Sequence, residues 1–276
     1  MNSLPCYEVF ALRYAHVARR RRDNFLETHD AHDLPMPMDY FVWLIRGDGR
    51  TLLVDTGFNQ AAADARGRTL LRCPIQALEM LGVTPQDISD TVITHMHYDH
   101  AGNTNLLPTT RFHLQETEMR FATGRYMVYK PLRQPFNVED VVNIVRGVYQ
   151  ERVVFHDGDV DLAPGIQLLH VGGHTPGLQA VRVHTARGWV VLASDASHYY
   201  DNMQHDAPFP VVLNVGDMLD GYRKLLALAE SPEHVIPGHD PQVRARYPFH
   251  GAPANDVVAL HLPPTASAGQ ASAFRP

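Results

Sequence analysis

Short apolar runs rich in β-branched residues recur along the chain, and each leads into a turn that carries a His or an Asp. Runs of this length and composition are typical of buried β-strands. The four clearest runs cover residues 91–93, 166–171, 189–193 and 234–236. The pattern therefore predicts strands whose ends present polar side chains.

A β-hairpin and three helices are predicted from the rest of the pattern. Residues 41–45 and 51–54 are apolar runs, and the Gly-Asp-Gly at 47–49 between them is a turn signal. Apolar positions at helical spacing indicate a helix in three other segments. These segments are 74–81, 138–149 and 219–229. We expect these helices to cover the sheets, with core packing as their whole role.

The composition is that of one globular domain. The chain has 276 residues, of which 45% are hydrophobic and 20% charged, and this is ample material for a single large core. The polar residues at the strand ends extend from residue 95 to 239, so one site would tie the chain together. We therefore predict a single domain over residues 1–250. Residues 251–276 are small, Pro-rich and unpatterned, and a disordered tail is predicted there.

Charge and cysteine content narrow the classes of partner and location. The net charge of −6 gives no reason to expect nucleic acid or an anionic membrane as a partner. Cys6 and Cys73 make no disulfide framework, and no run approaches 18 apolar residues, so a cytoplasmic location is expected. Four arginines at 19–22 precede acidic residues, which favours a solvated, partly paired surface loop over an anion site.

Residues 95–100 contain the densest group of chemically active side chains. His95 and His97 follow a predicted strand and share one face of it, and Asp99 and His100 follow on the turn. Neutral imidazole and carboxylate are zinc ligands, and one tetrahedral ion does not need four ligands from six residues and more from elsewhere. The spacing suggests two adjacent metal ions, about 3.5–4 Å apart as in other two-metal hydrolytic sites.

A His-rich surface turn is the alternative interpretation of this segment, because the chain has 17 His. Each later His or Asp would be unremarkable alone, since a single His at a strand end is more often structural than a ligand. Three such residues, however, follow an apolar run and a turn in the same way. They are His174, Asp195 and His239. Together with the first cluster they favour a metal site.

This series of residues resembles the metallo-β-lactamase superfamily, whose His-x-His-x-Asp-His motif matches residues 95–100. The resemblance spans roughly residues 40 to 240. It implies an α+β fold, an αββα sandwich of two mixed sheets packed face to face with helices outside and a metal site at one edge. It also implies one metal held by His95, His97 and His174, a second held by Asp99, His100 and His239, and Asp195 as the bridge between them.

The Asp-Thr-Gly at residues 55–57 is similar to the superfamily's Asp-Thr-Gly near the site. Asp55 then has two possible roles. It supports a metal ligand from outside the coordination sphere, or it serves only the chemistry of the turn.

Within the superfamily the chain looks most like the N-acyl-homoserine-lactone lactonase family. The resemblance rests on His-Tyr-Asp-His-Ala-Gly-Asn at 97–103, on residues 173–177 and 195–197, and on the segment 36–42. Well-studied members place a Tyr three residues after the bridging Asp, where it contacts the substrate carbonyl. Here that position is His198, followed by Tyr199 and Tyr200. This difference leaves the metal chemistry intact, but it means that the identity of the lactone does not follow from the resemblance.

Other branches of the superfamily fit less well. The first motif has no Glu, which disfavours the di-iron flavoproteins, and Asp195 stands where the best-known β-lactamases have Cys. Only 37 residues follow His239, too few for the extra helical domain of glyoxalase II-type thioesterases. The chain also lacks a basic patch suited to the RNA-processing branch.

We therefore interpret the chain as a dinuclear zinc lactonase that hydrolyses the ester bond of a lactone. A hydroxide bridging two divalent metal ions, expected to be Zn²⁺, attacks the ring carbonyl, and the ions hold the oxyanion. Asp99 relays a proton to the leaving alkoxide. His198, Tyr199 or Tyr200 donates a hydrogen bond on the carbonyl side.

Three alternatives stay open at this point. The first is another carboxylic-ester or aromatic-lactone hydrolase on the same scaffold, the second a thioesterase, and the third a metal-binding protein without turnover. The expected partner is a small-molecule lactone or ester, with no nucleic acid and no membrane. A homodimer is one of the oligomeric states that the sequence leaves open.

Five apolar residues lie in Pro-rich or irregular segments, where apolar side chains need a reason to be exposed. They are Met36, Met38, Tyr126, Met127 and Phe209. Core packing is the default role for each, and an acyl-binding pocket is the alternative.

Overall fold

Two β-sheets form the centre of the computed structural model, which describes residues 4–27 and 33–265. The strands are β1 Glu8–Val17, β2 Met38–Gly47, β3 Arg50–Val54, β4 Thr69–Leu70, β5 Asp90–Val92, β6 Arg111–Gln115, β7 Val153–His156, β8 Val160–Ala163, β9 Ile166–His170, β10 Gln179–Thr185, β11 Gly188–Ser194, β12 Val235–Pro237 and β13 Val257–Ala259. The first sheet has the order β13-β1-β2-β3-β5-β6-β7, with β4 paired to β1, and the second has the order β12-β11-β10-β9-β8. Each sheet combines parallel with antiparallel pairs and is therefore mixed.

Helices lie between the strands and around the sheets. The α-helices of the described residues are α1 Gln60–Arg66, α2 Tyr98–Ala101, α3 Glu116–Ala122, α4 Lys130–Arg133, α5 Val138–Tyr149, α6 Tyr200–Gln204, α7 Val215–Leu228 and α8 Gln242–Arg246. Short 3-10 helices occur at Arg21–Asn24, Gln76–Leu81, Pro85–Asp87, Thr104–Leu106, Arg125–Val128, Pro232–His234 and Pro253–Asn255.

The two sheets pack face to face because alternate residues of each strand point to opposite sides. Val9 and Ala11 of β1, with Trp43 of β2, share a buried cluster with Leu168 of β9 and Val181 of β10. The intervening residues of β1 and β2 pack against α1 and α5. On the far side, α7 covers the outer face of the second sheet. The layers are helix, sheet, sheet and helix, so the predicted αββα sandwich is confirmed.

The predicted hairpin is present, and its turn explains its register. Strands β2 and β3 are antiparallel, with Gly47 opposite Arg50. The two residues of the loop, Asp48 and Gly49, have φ angles of 50° and 69°. Positive φ at both positions belongs to the tight hairpin turn whose twist matches that of the flanking strands, and Asp-Gly is a preferred pair for it.

The predicted helices are present with adjusted bounds. The helix at 138–149 is α5, and its buried residues are Asp140, Val141, Ile144 and Gly147. The segment 74–81 forms a 3-10 helix over Gln76–Leu81. The segment 219–229 is the second part of α7, which begins earlier because Asn214 caps it by accepting the backbone N–H of Gly216.

The predicted disordered tail from residue 251 is wrong for the part that the structure describes. Strand β13 pairs antiparallel with β1, with Phe10 opposite Ala259. Val257 and Leu260 are buried, so the short apolar run here completes the edge of the first sheet. The domain therefore continues past residue 250. Residues 266–276 of the predicted tail lie outside the described residues.

Within residues 4–27 and 33–265, every helix is too short or too polar to cross a membrane.

Candidate metal centre

Strand ends from both sheets converge on one edge of the sandwich. The chain leaves β5 toward His95, leaves β11 at Ser194 toward Asp195, and leaves β12 toward His239. The loop between β9 and β10 adds His174. Asp55 and Ser194, at the ends of β3 and β11, have φ angles of 61° and 48°, a left-handed conformation that is uncommon for residues other than glycine. The sequence-predicted strand ends therefore meet.

Three imidazoles form the first group of candidate ligands. Nε2 of His174 lies 3.1 Å from Nε2 of His95 and 2.8 Å from Nδ1 of His97. Burial, followed by the charges of neighbouring histidines, lowers the pKa of His95 and of His97 well below the ordinary value. Both are therefore neutral, and neutral imidazole is the form that binds a metal.

A second group lies beside the first and contains Asp99, His100 and His239. Nε2 of His100 is 3.9 Å from Oδ1 of Asp99, and Nε2 of His239 is 4.0 Å from Oδ2 of Asp99. Burial alone would lower the pKa of His100 and of His239, but the charge of Asp195 raises both.

Asp195 faces both groups, one oxygen to each. Its Oδ2 lies 3.4 Å from Nε2 of His174 and 4.0 Å from Nε2 of His95. Its Oδ1 lies 3.1 Å from Nε2 of His100 and 3.0 Å from Nε2 of His239. This is the position that a carboxylate bridging two ions requires.

The second ring nitrogen of two of these histidines is held by a backbone carbonyl. Nδ1 of His174 donates to the carbonyl of Val211 at 2.6 Å, and Nδ1 of His239 donates to the carbonyl of Asp39 at 2.9 Å. These bonds fix the ring orientation and the tautomer, which leaves Nε2 of each ring unprotonated toward the centre. Such outer partners are the usual support of a histidine metal ligand.

Asp55 gives the same support to His100. Its Oδ2 lies 2.7 Å from Nδ1 of His100, and the backbone N–H and hydroxyl of Thr94 donate to its two oxygens, each at 2.8 Å. Of the two roles open for Asp55 in the sequence, the geometry favours the support of a ligand. Asp55 also begins the loop after β3 and so has a place in the turn as well.

The residues present fit a pair of metal ions. Nε2 of His100 and Oδ1 of Asp195 are buried 3.1 Å apart, but neither makes a well-oriented hydrogen bond with the other or with another described residue. Leaving such groups unpaired in a protein interior costs free energy, roughly 1–3 kcal/mol each. A metal ion held by the second group would satisfy both atoms, and the donor set of imidazole and carboxylate in the two groups suits divalent ions such as zinc.

Glu118 is a buried residue near the site that the sequence pattern did not reveal. Its Oε1 accepts the backbone N–H of Met96 at 2.9 Å, and its Oε2 accepts the backbone N–H of Gly177 at 3.0 Å. A Cβ at Gly177 would lie 2.3 Å from the backbone nitrogen of Glu118, so this contact needs glycine. The carboxylate thereby joins the loop of His95 and His97 to the loop of His174.

A cavity of about 410 Å³ opens above the candidate ligands. His97, Asp99, His174, Asp195, His198 and His239 line its floor. The phenols of Tyr40 and Tyr98 and the guanidinium groups of Arg19, Arg66 and Arg68 line its sides. The remaining wall is largely apolar and includes Phe121, Leu132, Val211, Val212 and Leu213.

Of the five apolar residues considered for an acyl pocket, only Met38 lines the cavity in the described structure. Met36 and Met127 pack against the core on the outer face of the first sheet, Phe209 is fully buried in the core of the second, and Tyr126 is exposed. Core packing is the better description for most of them.

His198, three positions after Asp195, lines the cavity. Its Nε2 is 2.9 Å from Oδ2 of Asp195, and its ring stacks on Phe209 with centroids 3.4 Å apart. If Nε2 donates to Asp195, the neutral ring presents Nδ1 as an acceptor and cannot also donate to a substrate carbonyl.

Tyr199 and Tyr200 do not line the cavity, which corrects their assignment as candidate donors. The hydroxyl of Tyr199 donates to the carbonyl of Pro37 at 3.2 Å. Tyr200 begins α6, and its ring is buried in the core between the sheets beneath the guanidinium of Arg246. The helical turn after His198 directs both phenols away from the site.

Tyr40 and Tyr98 are the phenols that do reach the cavity. Nε of Arg68 donates to the Tyr98 hydroxyl at 3.1 Å, and the Tyr98 hydroxyl donates to that of Tyr40 at 3.4 Å. The Tyr40 ring packs edge-on against His239, with centroids 5.0 Å apart. Tyr98 lies inside the His-rich motif and Tyr40 lies in the segment 36–42. Both segments carry the resemblance to the lactonase family in the sequence.

Comparison with known proteins agrees with this geometry. The family model described as the metallo-β-lactamase superfamily matches residues 36–239. The chain belongs to the metallo-β-lactamase superfamily. It is a hydrolase of that superfamily, as the sequence predicted.

Curated relatives of the chain are lactonases. The N-acyl homoserine lactonase AiiA of Bacillus thuringiensis subsp. kurstaki is 28% identical over 185 residues, which cover 61% of this chain and 68% of that protein. The N-acyl homoserine lactonase AiiB of Agrobacterium fabrum (strain C58) is 32% identical over 178 residues, which cover 58% of this chain and 63% of that protein.

Solved structures share the fold at lower sequence identity. An N-acyl homoserine lactone hydrolase with the product N-hexanoyl-L-homoserine at its catalytic metal centre superposes with a TM-score of 0.72 and 20% identity, covering 86% of this chain and 95% of that one. AidC, a dizinc quorum-quenching lactonase, gives a TM-score of 0.69 and 18% identity, covering 87% and 90%. These likenesses confirm the predicted fold class.

Proposed function

We propose that this protein is a lactonase that opens the ester bond of a small-molecule lactone at a dinuclear metal centre. One observation carries the proposal: the two oxygens of Asp195 face two separate groups of ligand atoms, within 3.0 to 4.0 Å of each. The lactonase activity of AiiA and AiiB supports the choice of substrate class. N-acyl homoserine lactones are therefore the first substrates to test.

The proposed ligand sets follow the two groups. His95, His97 and His174 hold one ion, Asp99, His100 and His239 hold the other, and Asp195 bridges them. Zinc is the proposed ion, because imidazole and carboxylate suit it and because the structurally similar AidC is a dizinc enzyme. When bound, such a pair of ions supplies an activated water near neutral pH and polarises the ester carbonyl.

The protein side chains would orient the ester and move protons. Asp99 reaches the cavity and can hold the proton that the leaving alkoxide takes up when the ring opens. The Tyr40 oxygen accepts a hydrogen bond from the Tyr98 hydroxyl, so the O–H of Tyr40 is available to donate to the ester carbonyl. His198 fixes Oδ2 of Asp195 and thereby the bridging carboxylate.

The two-metal proposal is tested by metal analysis of the zinc-reconstituted protein. We expect two ions per chain, and Asp195→Ala should lose metal as well as activity because this carboxylate serves both sites. Asp240→Asn, at a buried Asp that caps backbone groups of α6 and α8, is the matched control and should keep two ions. One ion or none in the wild-type protein would contradict the proposal.

The substrate class is tested by comparing kcat/KM for a lactone, a glutathione thioester and a β-lactam under identical metal loading. We expect the lactone to be hydrolysed best. A preference for the thioester would place the enzyme in another branch of the superfamily.

A further inference from the structure

Three arginines line the same cavity as the candidate metal ligands. Arg19, Arg66 and Arg68 are half-buried and come from the segment after β1 and from the end of α1. Within the described ranges, none of them has a carboxylate partner within 4 Å. Apart from Asp99 and Asp195 at the metal centre, no acidic side chain of the described residues lines the cavity. The three guanidinium groups at the cavity therefore stand outside ion-pair distance of every carboxylate of the described residues.

The remainder of the arginine run at 19–22 behaves differently. Arg20 and Arg22 contact Asp33, and Arg21 contacts Asp201 at 2.9 Å. This agrees with the partly paired surface loop predicted from the sequence. Arg19 is the exception, since its Nη2 donates to the carbonyl of Asp23 and its side chain reaches the cavity.

Arg68 is the best placed of the three to bind a ligand. Its Nε donates to the Tyr98 hydroxyl at 3.1 Å, and its Nη1 donates to the carbonyl of Arg66 at 2.7 Å. Its Nη2 has no protein acceptor in the part of the chain that the structure describes. Two bonds thus hold the guanidinium in place and leave one N–H₂ group for a ligand.

Arg66 contributes mainly as a fixed charge. Its guanidinium stacks on the Tyr98 ring at 3.9 Å, and its two terminal nitrogens donate to the carbonyls of Gln134 and Phe136. Arg19 and Arg68 both act on the phenol of Tyr40: burial raises the pKa of Tyr40 to about 12, and these two cations oppose the rise. The arginine charges are thus close to the phenol proposed to face the ester carbonyl.

We propose that the substrate is a lactone or ester that carries a carboxylate, which Arg68 binds with the help of Arg19 while the scissile carbonyl lies at the metal centre. This inference rests on the proposed function and specifies its substrate class. An uncharged acyl chain would leave three cations facing an apolar ligand, whereas a carboxylate would pair with a fixed guanidinium. The proposal therefore favours an anionic lactone over the uncharged N-acyl homoserine lactones.

The test uses a γ-butyrolactone with a ring carboxylate and its primary amide, which has the same shape and no charge. For the zinc-loaded wild-type protein we expect kcat/KM for the acid to exceed that for the amide by roughly 10-fold or more, the range of a charged hydrogen bond. Added salt should lower the value for the acid and not for the amide. Equal kcat/KM for the two lactones would overturn the anion proposal and leave the lactonase proposal standing.

The variants are compared by the ratio of kcat/KM for the acid to kcat/KM for the amide. General damage to the site lowers both values and leaves this ratio unchanged. Arg68→Met should reduce the ratio to near 1, Arg68→Lys should retain part of it, and Arg19→Met should lower it less. Arg223→Met is the control, because Arg223 is an exposed arginine on α7 outside the cavity. An unchanged ratio in both Arg68→Met and Arg19→Met would contradict the assignment.

A binding measurement separates the two proposals if neither lactone is hydrolysed. Glutarate and its monoamide are titrated calorimetrically into the metal-loaded protein. Tighter binding of glutarate that Arg68→Met abolishes would support the anion site while the lactonase proposal fails. If Arg68→Met left the binding of both compounds unchanged, the anion site would be overturned as well.

Discussion

At the scale of single residues, the direction of each hydrogen bond determines which tyrosine hydroxyl can donate its proton to a ligand. Arg68 has no acceptor lone pair and must donate to Tyr98, whose own proton is then directed to Tyr40. The chain of donors ends at the Tyr40 hydroxyl, which keeps a proton for a ligand. By contrast, the Tyr199 proton is already bound by a backbone carbonyl.

Removal of the Tyr40 hydroxyl tests this order of donors. Tyr40→Phe should lower kcat for the best lactone by roughly 10²-fold, within the range of a positioned proton donor, while both metal ions remain bound. Tyr200→Phe is the control, because that hydroxyl is buried between the sheets without a hydrogen-bond partner in the described residues. If Tyr200→Phe lowered kcat and Tyr40→Phe did not, the donor would have been misassigned.

The candidate ligands were predictable from the sequence because each one follows a short apolar run. His95, His97, Asp99 and His100 are close in sequence, so no long-range geometry was needed to group them. The roles of Tyr40 and Tyr200 were not predictable, because they depend on which way a phenol points after a turn. A pattern of residue types has no information on that direction.

At the scale of elements, short helices hold the ligand loops together. Glu118 of α3 accepts one backbone N–H from the loop before α2 and another from the loop between β9 and β10. Burial raises the pKa of Glu118, although hydrogen bonds from Thr175, Met96 and Gly177 oppose that rise. Helix α3 has only seven residues, too few for an apolar pattern to mark Glu118 as buried and Glu116, two residues earlier, as exposed, which is why the sequence did not reveal it.

Loss of the Glu118 carboxylate should loosen the metal centre without removing a ligand. Glu118→Ala should weaken zinc binding by roughly 10–100-fold, the usual effect of losing an outer support of a metal site, as measured by competition with a chromogenic chelator. Glu116→Ala is the matched control, because Glu116 is exposed on the same helix and pairs with Arg120. Equal zinc affinity in the two variants would show that the loops hold their positions unaided.

Helix α5 contains a buried acid whose charge is unfavourable. Burial raises the pKa of Asp140 from 3.8 to about 7, and the charge of Arg66 opposes the rise. The folded state therefore holds this proton more tightly than the unfolded chain does. The stability from the protonated carboxyl is fully present below about pH 4 and is lost as the pH rises through about 7.

Asp140→Asn should remove this pH dependence. We expect the variant to be more stable than the wild type at pH 8, by about 1–2 kcal/mol, with little or no advantage at pH 4. Urea unfolding at the two pH values measures this, and Glu139→Gln, at the exposed neighbouring acid of α5, is the control. A larger advantage at pH 4 than at pH 8 would contradict the assignment.

At the scale of the whole molecule, the candidate centre joins both sheets. Its ligands follow β5, β9, β11 and β12, so the first sheet supplies His95 and the second supplies His174, Asp195 and His239. The hairpin was predictable from two apolar runs on either side of a Gly-Asp-Gly turn, whereas the sandwich was implied by the resemblance to the superfamily. It did not predict β13, because a run of three residues in a Pro- and Ala-rich segment is too short to stand out.

Metal removal should therefore destabilise the entire fold. A ligand bound at 1,000 times its Kd contributes about 4 kcal/mol to stability, which corresponds to a fall in Tm of roughly 10 °C for a domain of this size. Calorimetry with and without a chelator measures the shift. Asp195→Ala, which is expected to bind no metal, should show no shift, and an equal shift in that variant would point to an effect of the chelator elsewhere.

Strand β13 has a consequence for the synthesis of the chain. Phe10 of β1 lies opposite Ala259, so this edge of the first sheet stays open at β1 until residues 257–259 have been synthesised. At the usual 5–20 residues per second the delay is roughly 10–50 s. During that time β1 exposes unpaired backbone groups to other nascent chains, and such an edge can template aggregation. Slower translation or higher temperature should therefore reduce the soluble yield, unless a chaperone covers the N-terminal strand until β13 arrives.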